Sequence, residues 1–117
     1  MRAVAPAIAE MLRRIVARFD PDRIILFGSR ARGTAGPDSD VDLLVILPLP
    51  GSRRAKAVEI HRLLAGIGLP KDIIVVTPED VERFKDVPGT IIRAALHEGR
   101  VLYDRSTAVA DRAAITV

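Results

Sequence analysis

The sequence predicts an α+β domain of α/β type, a short mixed sheet of about four strands flanked by helices. Three observations carry this expectation: apolar runs of strand length, helix-period stripes and helix caps between them, and turn-forming residues at the junctions. With 117 residues, 49% hydrophobic and 28% charged, the chain is expected to form a single domain that buries its own core.

The elements follow in order. Val4, Ile8, Met11, Leu12, Ile15, Val16 and Phe19 recur at helical spacing, and Asp20 and Pro21 end that helix. Ile24 to Phe27 is an uninterrupted apolar run between Arg23 and Gly28, as expected of a strand covered on both faces. The stretch GSRARGTAGPDS then reads as a turn. Val41 to Leu47 is a second strand, closed by Pro48, Pro50 and Gly51. From Arg53 to Ala65, apolar Ala57, Ile60, Leu63 and Leu64 predict a helix that Gly66, Gly68 and Pro70 stop.

Asp72 to Val76 is a third strand. Thr77 then supplies an N-cap, Pro78 a first helical residue, and Glu79 and Asp80 acids in the first turn. Val87, Pro88 and Gly89 break that helix, Thr90 caps another running through His97, and Gly99 ends it before a last strand, Arg100 to Tyr103. The expected order is αβ(turn)βαβααβ. Residues 1–117 form one domain on this reading, with a core from about residue 3 to 103 and a mobile or loosely docked tail over 104–117.

Several function classes drop out. The absence of cysteine excludes disulfides, thiolate metal sites and cysteine nucleophiles, and points to a reducing, cytoplasmic setting. No apolar run approaches the roughly 20 residues of a membrane helix, and Glu10 with two arginines makes the N-terminus a poor secretory signal. The net charge of +3, from 18 basic against 15 acidic residues, is too mild to require a nucleic-acid partner. Neither a lysine-containing phosphate loop nor a GxGxxG dinucleotide fingerprint is present.

The informative segment is FGSRARGTAGPDSDVDLLV, Phe27 to Val45. Asp40 and Asp42 stand two apart on a predicted strand, so both side chains leave the same face. Adjacent carboxylates repel unless a cation neutralises them, and such hard oxygen donors suit Mg²⁺. Gly28 and Ser29 leave a strand end and can open a turn whose N–H groups and hydroxyl face phosphate oxygens. Asp72 opens the third strand and joins the acidic pair if that strand neighbours the second.

This pattern, GS followed by ten residues, then DxD, then a later Asp opening a strand, resembles the nucleotidyltransferase superfamily related to DNA polymerase β. The segment GSRARG and the chain length are most similar to the minimal nucleotidyltransferases, often antitoxin partners of HEPN-domain toxins. The resemblance implies a polymerase β-like core in which Gly28 and Ser29 hold the terminal phosphates of ATP or another NTP. It further implies that Asp40, Asp42 and Asp72 are catalytic residues binding two Mg²⁺ ions, with Asp72 helping to activate the acceptor. Arg30 and Arg32 lie where guanidinium groups can meet phosphate.

The expected reaction is transfer of AMP, or another NMP, to a hydroxyl, most specifically a tyrosine of a HEPN toxin that the chain would neutralise as antitoxin. Two alternatives stand beside it: a steric antitoxin or regulator with a vestigial nucleotide site, and a nucleotidyltransferase for an aminoglycoside-like small molecule. The sequence leaves both homo- and hetero-oligomers open. His61 and His97 are read as structural or surface residues, Tyr103 as a packing residue, and Thr77 with Glu79 and Asp80 as helix capping.

Overall fold

A computed structural model of the protein describes residues 4–36 and 39–107. Its elements are α1 (Val4–Phe19), β1 (Arg23–Phe27), α2 (Ser29–Arg32), β2 (Val41–Ile46), α3 (Arg53–Leu63), β3 (Lys71–Val76), α4 (Pro78–Phe84), α5 (Ile91–Glu98) and β4 (Arg100–Asp104). The four strands form one mixed sheet in the order β3-β2-β1-β4. β1 runs antiparallel to β2 and β4, and β2 runs parallel to β3 through the α3 crossover.

The apolar strands are covered on both faces, as their uninterrupted runs require. On one face Met11 and Ile15 of α1 and Ile60 of α3 pack with Val41, Leu43, Val45, Ile73 and Val75. On the other, Val81 of α4 and Ile92 and Ala95 of α5 pack with Ile25, Leu44, Ile46 and Val76. Alternation along β2 and β3 therefore directs Asp42 and Asp72 to the α4/α5 face, at the strand ends beyond the apolar residues these helices cover.

Besides shifts of one or two residues at element limits, two expectations change. The GSRARG segment, read as a turn, contains the single-turn helix α2: Ala31 and Arg32 donate to the Gly28 carbonyl, and Gly33 closes the turn in the left-handed region. The tail was expected from Asp104, yet Asp104 closes β4. Arg105 holds this end, because its N–H donates to the Asp22 carbonyl at 3.0 Å and its guanidinium pairs with the Asp22 carboxylate. The rest of the expected tail, 108–117, lies outside the described residues, and among the described residues no helix is long and apolar enough to cross a membrane.

Thr77 caps α4 as predicted. Its hydroxyl accepts from the Asp80 N–H at 3.1 Å while Asp80 accepts from the Thr77 N–H at 3.0 Å, a complete capping box. The sequence does not reveal the partner across the fold: Arg53, at the start of α3, donates from Nε and Nη2 to both oxygens of buried Asp80. The Arg53 guanidinium, with help from Thr77, holds the Asp80 carboxyl down at about 2.

Because this pKa lies below its unfolded value near 4, the stabilisation is complete above that value and is lost as pH falls towards 2. Arg53→Ala is expected to lower the melting temperature at pH 6, with the deficit shrinking below about pH 4. Calorimetric melts of both proteins across pH check this, and a deficit independent of pH contradicts it.

Candidate active site

β1 delivers Gly28 and Ser29 to one end of the sheet, β2 delivers Asp42, and β3 delivers Asp72. The parallel register places Asp42 directly opposite Asp72, while Phe27 of β1 pairs with Asp42 from the other side. β2 and β3 are neighbours, the condition on which Asp72 joins the acidic pair. Lys71, a polar start to β3, is accommodated because β3 is an edge of this sheet.

Gly28 meets this acidic end at close range. Its backbone lies at φ 75° and ψ −158°, which side chains with a Cβ rarely adopt. A Cβ built there would fall 2.3 Å from Oδ2 of Asp42. Glycine is thus demanded twice, by the turn and by the carboxylate packed against it.

Burial pushes the Asp42 carboxyl up from its ordinary value, and the negative charges of Asp72 and Asp40 push it further, with Arg32 opposing them. Asp40, Asp72 and the Arg32 cation are consequently each within electrostatic reach of Asp42. Asp40 and Asp72 are exposed, and Asp42 is half-buried. Asp40 itself sits just before β2, not within it, because the ladder begins at Val41, whose N–H donates to the Pro70 carbonyl.

Three aspartates, two of them exposed, fit a hard divalent cation in donor chemistry. Among the described residues, however, no three acidic or histidine side chains already enclose an ion position. Magnesium is commonly held by one or two carboxylates together with substrate phosphate oxygens, so an open carboxylate set facing a glycine turn matches that ion with its nucleotide.

Of the two candidate arginines, exposed Arg32 acts on Asp42, whereas half-buried Arg30 turns towards the loop. Arg30 donates from Nε and Nη2 to the Ser39 carbonyl, at 3.1 and 2.6 Å. The Ser39 hydroxyl accepts from the Gly36 N–H at 2.9 Å, and the Ser39 N–H donates to the Gly36 carbonyl at 3.2 Å. Ser39 was not singled out from the sequence, although a serine directly before an aspartate in a glycine-rich stretch is a turn signal.

His61 and His97 are exposed, and His61 Nε2 lies 3.3 Å from the Lys71 carbonyl. Tyr103 packs half-buried against the α1/α3 core and donates its hydroxyl to Asp20 at 2.9 Å.

Two variants test this geometry without any assay of turnover. Gly28→Ala is expected to cost about 1–3 kcal/mol, from the strained backbone and the clash with Asp42. Asp42→Asn is expected to raise the melting temperature at pH 7 without added metal, because it removes a charge that burial and its neighbours disfavour. A raised carboxyl pKa opposes folding only where the group ionises, so the gain fades as pH falls to the unfolded value near 4. Thermal melts at pH 7 and pH 3 check both, and an unchanged or lowered melting point for Asp42→Asn at pH 7 contradicts the charge cluster.

Known proteins share the sequence pattern and the fold of this chain. Residues 8–102 match the family described as the nucleotidyltransferase domain, a span that includes all the site residues above. The chain is 37% identical over 106 residues to the curated Putative protein adenylyltransferase MJ1305 of Methanocaldococcus jannaschii, covering 82% of this chain and 69% of that one. A crystal structure of a putative nucleotidyltransferase from Sulfolobus solfataricus superposes with a TM-score of 0.61 at 19% identity, over 91% of this chain and 90% of that one.

A toxin-antitoxin structure with AMP-PNP superposes with a TM-score of 0.56 at 16% identity, over 94% and 87% of the two chains. A mutant of the toxin-antitoxin MntA-HpeT gives 0.55 at 15%, over 92% and 86%. These structural likenesses speak for the fold, and the family match runs from α1 into β4. The chain therefore belongs to the nucleotidyltransferase domain family and is an enzyme of that class.

Proposed function

We propose that this enzyme transfers AMP from ATP to a hydroxyl on a partner protein, specifically a tyrosine of a HEPN-domain toxin, and so acts as an antitoxin in the cytoplasm. The observation that carries the chemistry is the register of Asp42 against Asp72, with Gly28 packed on the Asp42 carboxylate. A protein acceptor is supported by the name of the curated relative as a protein adenylyltransferase. A toxin partner is supported by the two toxin-antitoxin structures that share the fold.

In this reading Asp40, Asp42 and Asp72 hold two Mg²⁺ ions. Bound Mg²⁺ supplies positive charge that neutralises the triphosphate and lowers the pKa of the acceptor hydroxyl. Gly28 allows the backbone to approach the terminal phosphates, Ser29 offers its hydroxyl to them, and Arg32 offers a guanidinium at the same edge. Asp72, exposed at the sheet edge, faces the entering acceptor and takes part in removing its proton. The acceptor oxygen then bonds to the α-phosphorus, the bond to the bridging oxygen breaks, and pyrophosphate leaves with that electron pair.

The test is transfer of α-labelled ATP, with Mg²⁺, to protein in an extract of the source organism. Wild type is expected to label a partner band on tyrosine, and Asp42→Asn to reduce labelling to about 1% or less. No label in any band from folded enzyme over a range of nucleotides would contradict transfer and favour steric neutralisation. Label transferred to a small molecule alone would contradict the protein acceptor.

A further inference from the structure

We propose that Arg30 is a positioning residue that sets Asp40 for metal binding, not a ligand of the nucleotide phosphates. The inference rests on the reading of Asp40, Asp42 and Asp72 as the metal site. Asp42 and Asp72 are placed by the sheet itself, each paired in register with the other. Asp40 has no such support, since it precedes the first residue of β2 and is exposed. Its position depends on the segment before it.

That segment is held at Ser39. Both Arg30 donors converge on the Ser39 carbonyl oxygen, at 3.1 and 2.6 Å. The Ser39 carbonyl belongs to the same rigid peptide plane as the N and Cα of Asp40, so fixing that oxygen fixes the orientation in which Asp40 starts. The Ser39 hydroxyl accepts from the Gly36 N–H and the Ser39 N–H donates to the Gly36 carbonyl, so Ser39 is bonded on both sides. The Val41 N–H, donated to Pro70 at 2.9 Å, anchors the chain just after Asp40. Asp40 is thereby suspended between two fixed points, and Arg30 supplies a charge-assisted bond at the first.

Arg30 is well suited to this task by its place in the chain. It lies on α2, which begins next to Gly28, so one short helix carries the glycine turn and the strap that holds Asp40. Loss of the strap should loosen one carboxylate and leave the glycine turn intact. A phosphate ligand would behave in the opposite way, because its loss weakens nucleotide binding even without metal.

The experiment separates these effects by binding, not turnover. Mn²⁺ affinity is measured by water-proton relaxation with saturating ATP, and ATP affinity is measured by calorimetry in EDTA. Arg30→Met is expected to weaken Mn²⁺ binding about tenfold, as outer residues that orient metal ligands do, while ATP affinity in EDTA stays within about twofold. Arg30→Lys, with one donor group for the same carbonyl, is expected to fall between the two. Ser39→Ala, which removes the hydroxyl acceptor for Gly36, is expected to weaken Mn²⁺ binding in the same direction and less than additively with Arg30→Met. It also keeps the proposal testable should Arg30→Met fail to fold.

Mn²⁺ affinity equal to wild type in Arg30→Met, or lost ATP affinity in EDTA with Mn²⁺ affinity kept, would overturn the proposal. Wild-type protein that binds no Mn²⁺ would overturn the metal-site reading beneath it.

Discussion

The in-register parallel pairing of β2 with β3 is the constraint on which the rest depends. It sets Asp42 beside Asp72 at one end of two strands whose downstream positions, Leu43 to Ile46 and Ile73 to Val76, are apolar. The two carboxylates repel, and burial makes the charge on Asp42 more costly still. The arrangement survives because Leu43, Leu44, Val45 and Ile46, immediately downstream, are almost wholly buried between two layers of helices. Slipping β2 by one residue would release the repulsion but would exchange the residues meeting α1 and α3 with those meeting α4 and α5. The core thus holds the charges together.

Two loops finish what the sheet begins. The β1–α2 junction brings Gly28 against Asp42 in a conformation that glycine alone adopts comfortably. Ahead of β2, bonds from Arg30 and to Gly36 hold Ser39, next to Asp40, whose charge reaches Asp42. Farther from the site, the Arg53–Asp80 bond ties the starts of α3 and α4 together. Arg14 reaches from α1 to the Leu63 and Ala65 carbonyls at the end of α3. Arginine acts repeatedly here as a donor to carbonyls and carboxylates on neighbouring elements, which its forked donor geometry favours.

Most of the fold was legible because its signals are local. Thr77 and Thr90 each cap the helix the sequence placed after them, and the α1 stripe buries Met11 and Ile15 as its spacing requires. Strand limits differ by a residue where a charged residue extends a ladder, as at Arg23, Lys71 and Asp104. The single-turn helix α2 was missed because glycine-rich composition signals a turn, whereas the spacing of Gly28 and Gly33 leaves room for one turn of helix. At the site, Asp42 is legible from strand periodicity and Asp72 from its place at the opening of a strand, whereas the pairing of those two strands is not, because register carries no local signal. The hold on Asp40 was not, because Arg30 and Ser39 meet through a backbone carbonyl, and a carbonyl carries no mark in a sequence. The Arg53–Asp80 pair was hidden for a related reason, since 27 residues separate its members.

The central claim is that the three carboxylates and the glycine turn form one metal–nucleotide site. A crystal structure of the protein grown with Mn²⁺ and a non-hydrolysable ATP analogue, with manganese located by its anomalous scattering, tests it most directly. The account predicts manganese bonded to oxygens of Asp40, Asp42 and Asp72, with the terminal phosphates against Gly28 and Ser29. Manganese bound elsewhere, or nucleotide bound without contact to these aspartates, would contradict it.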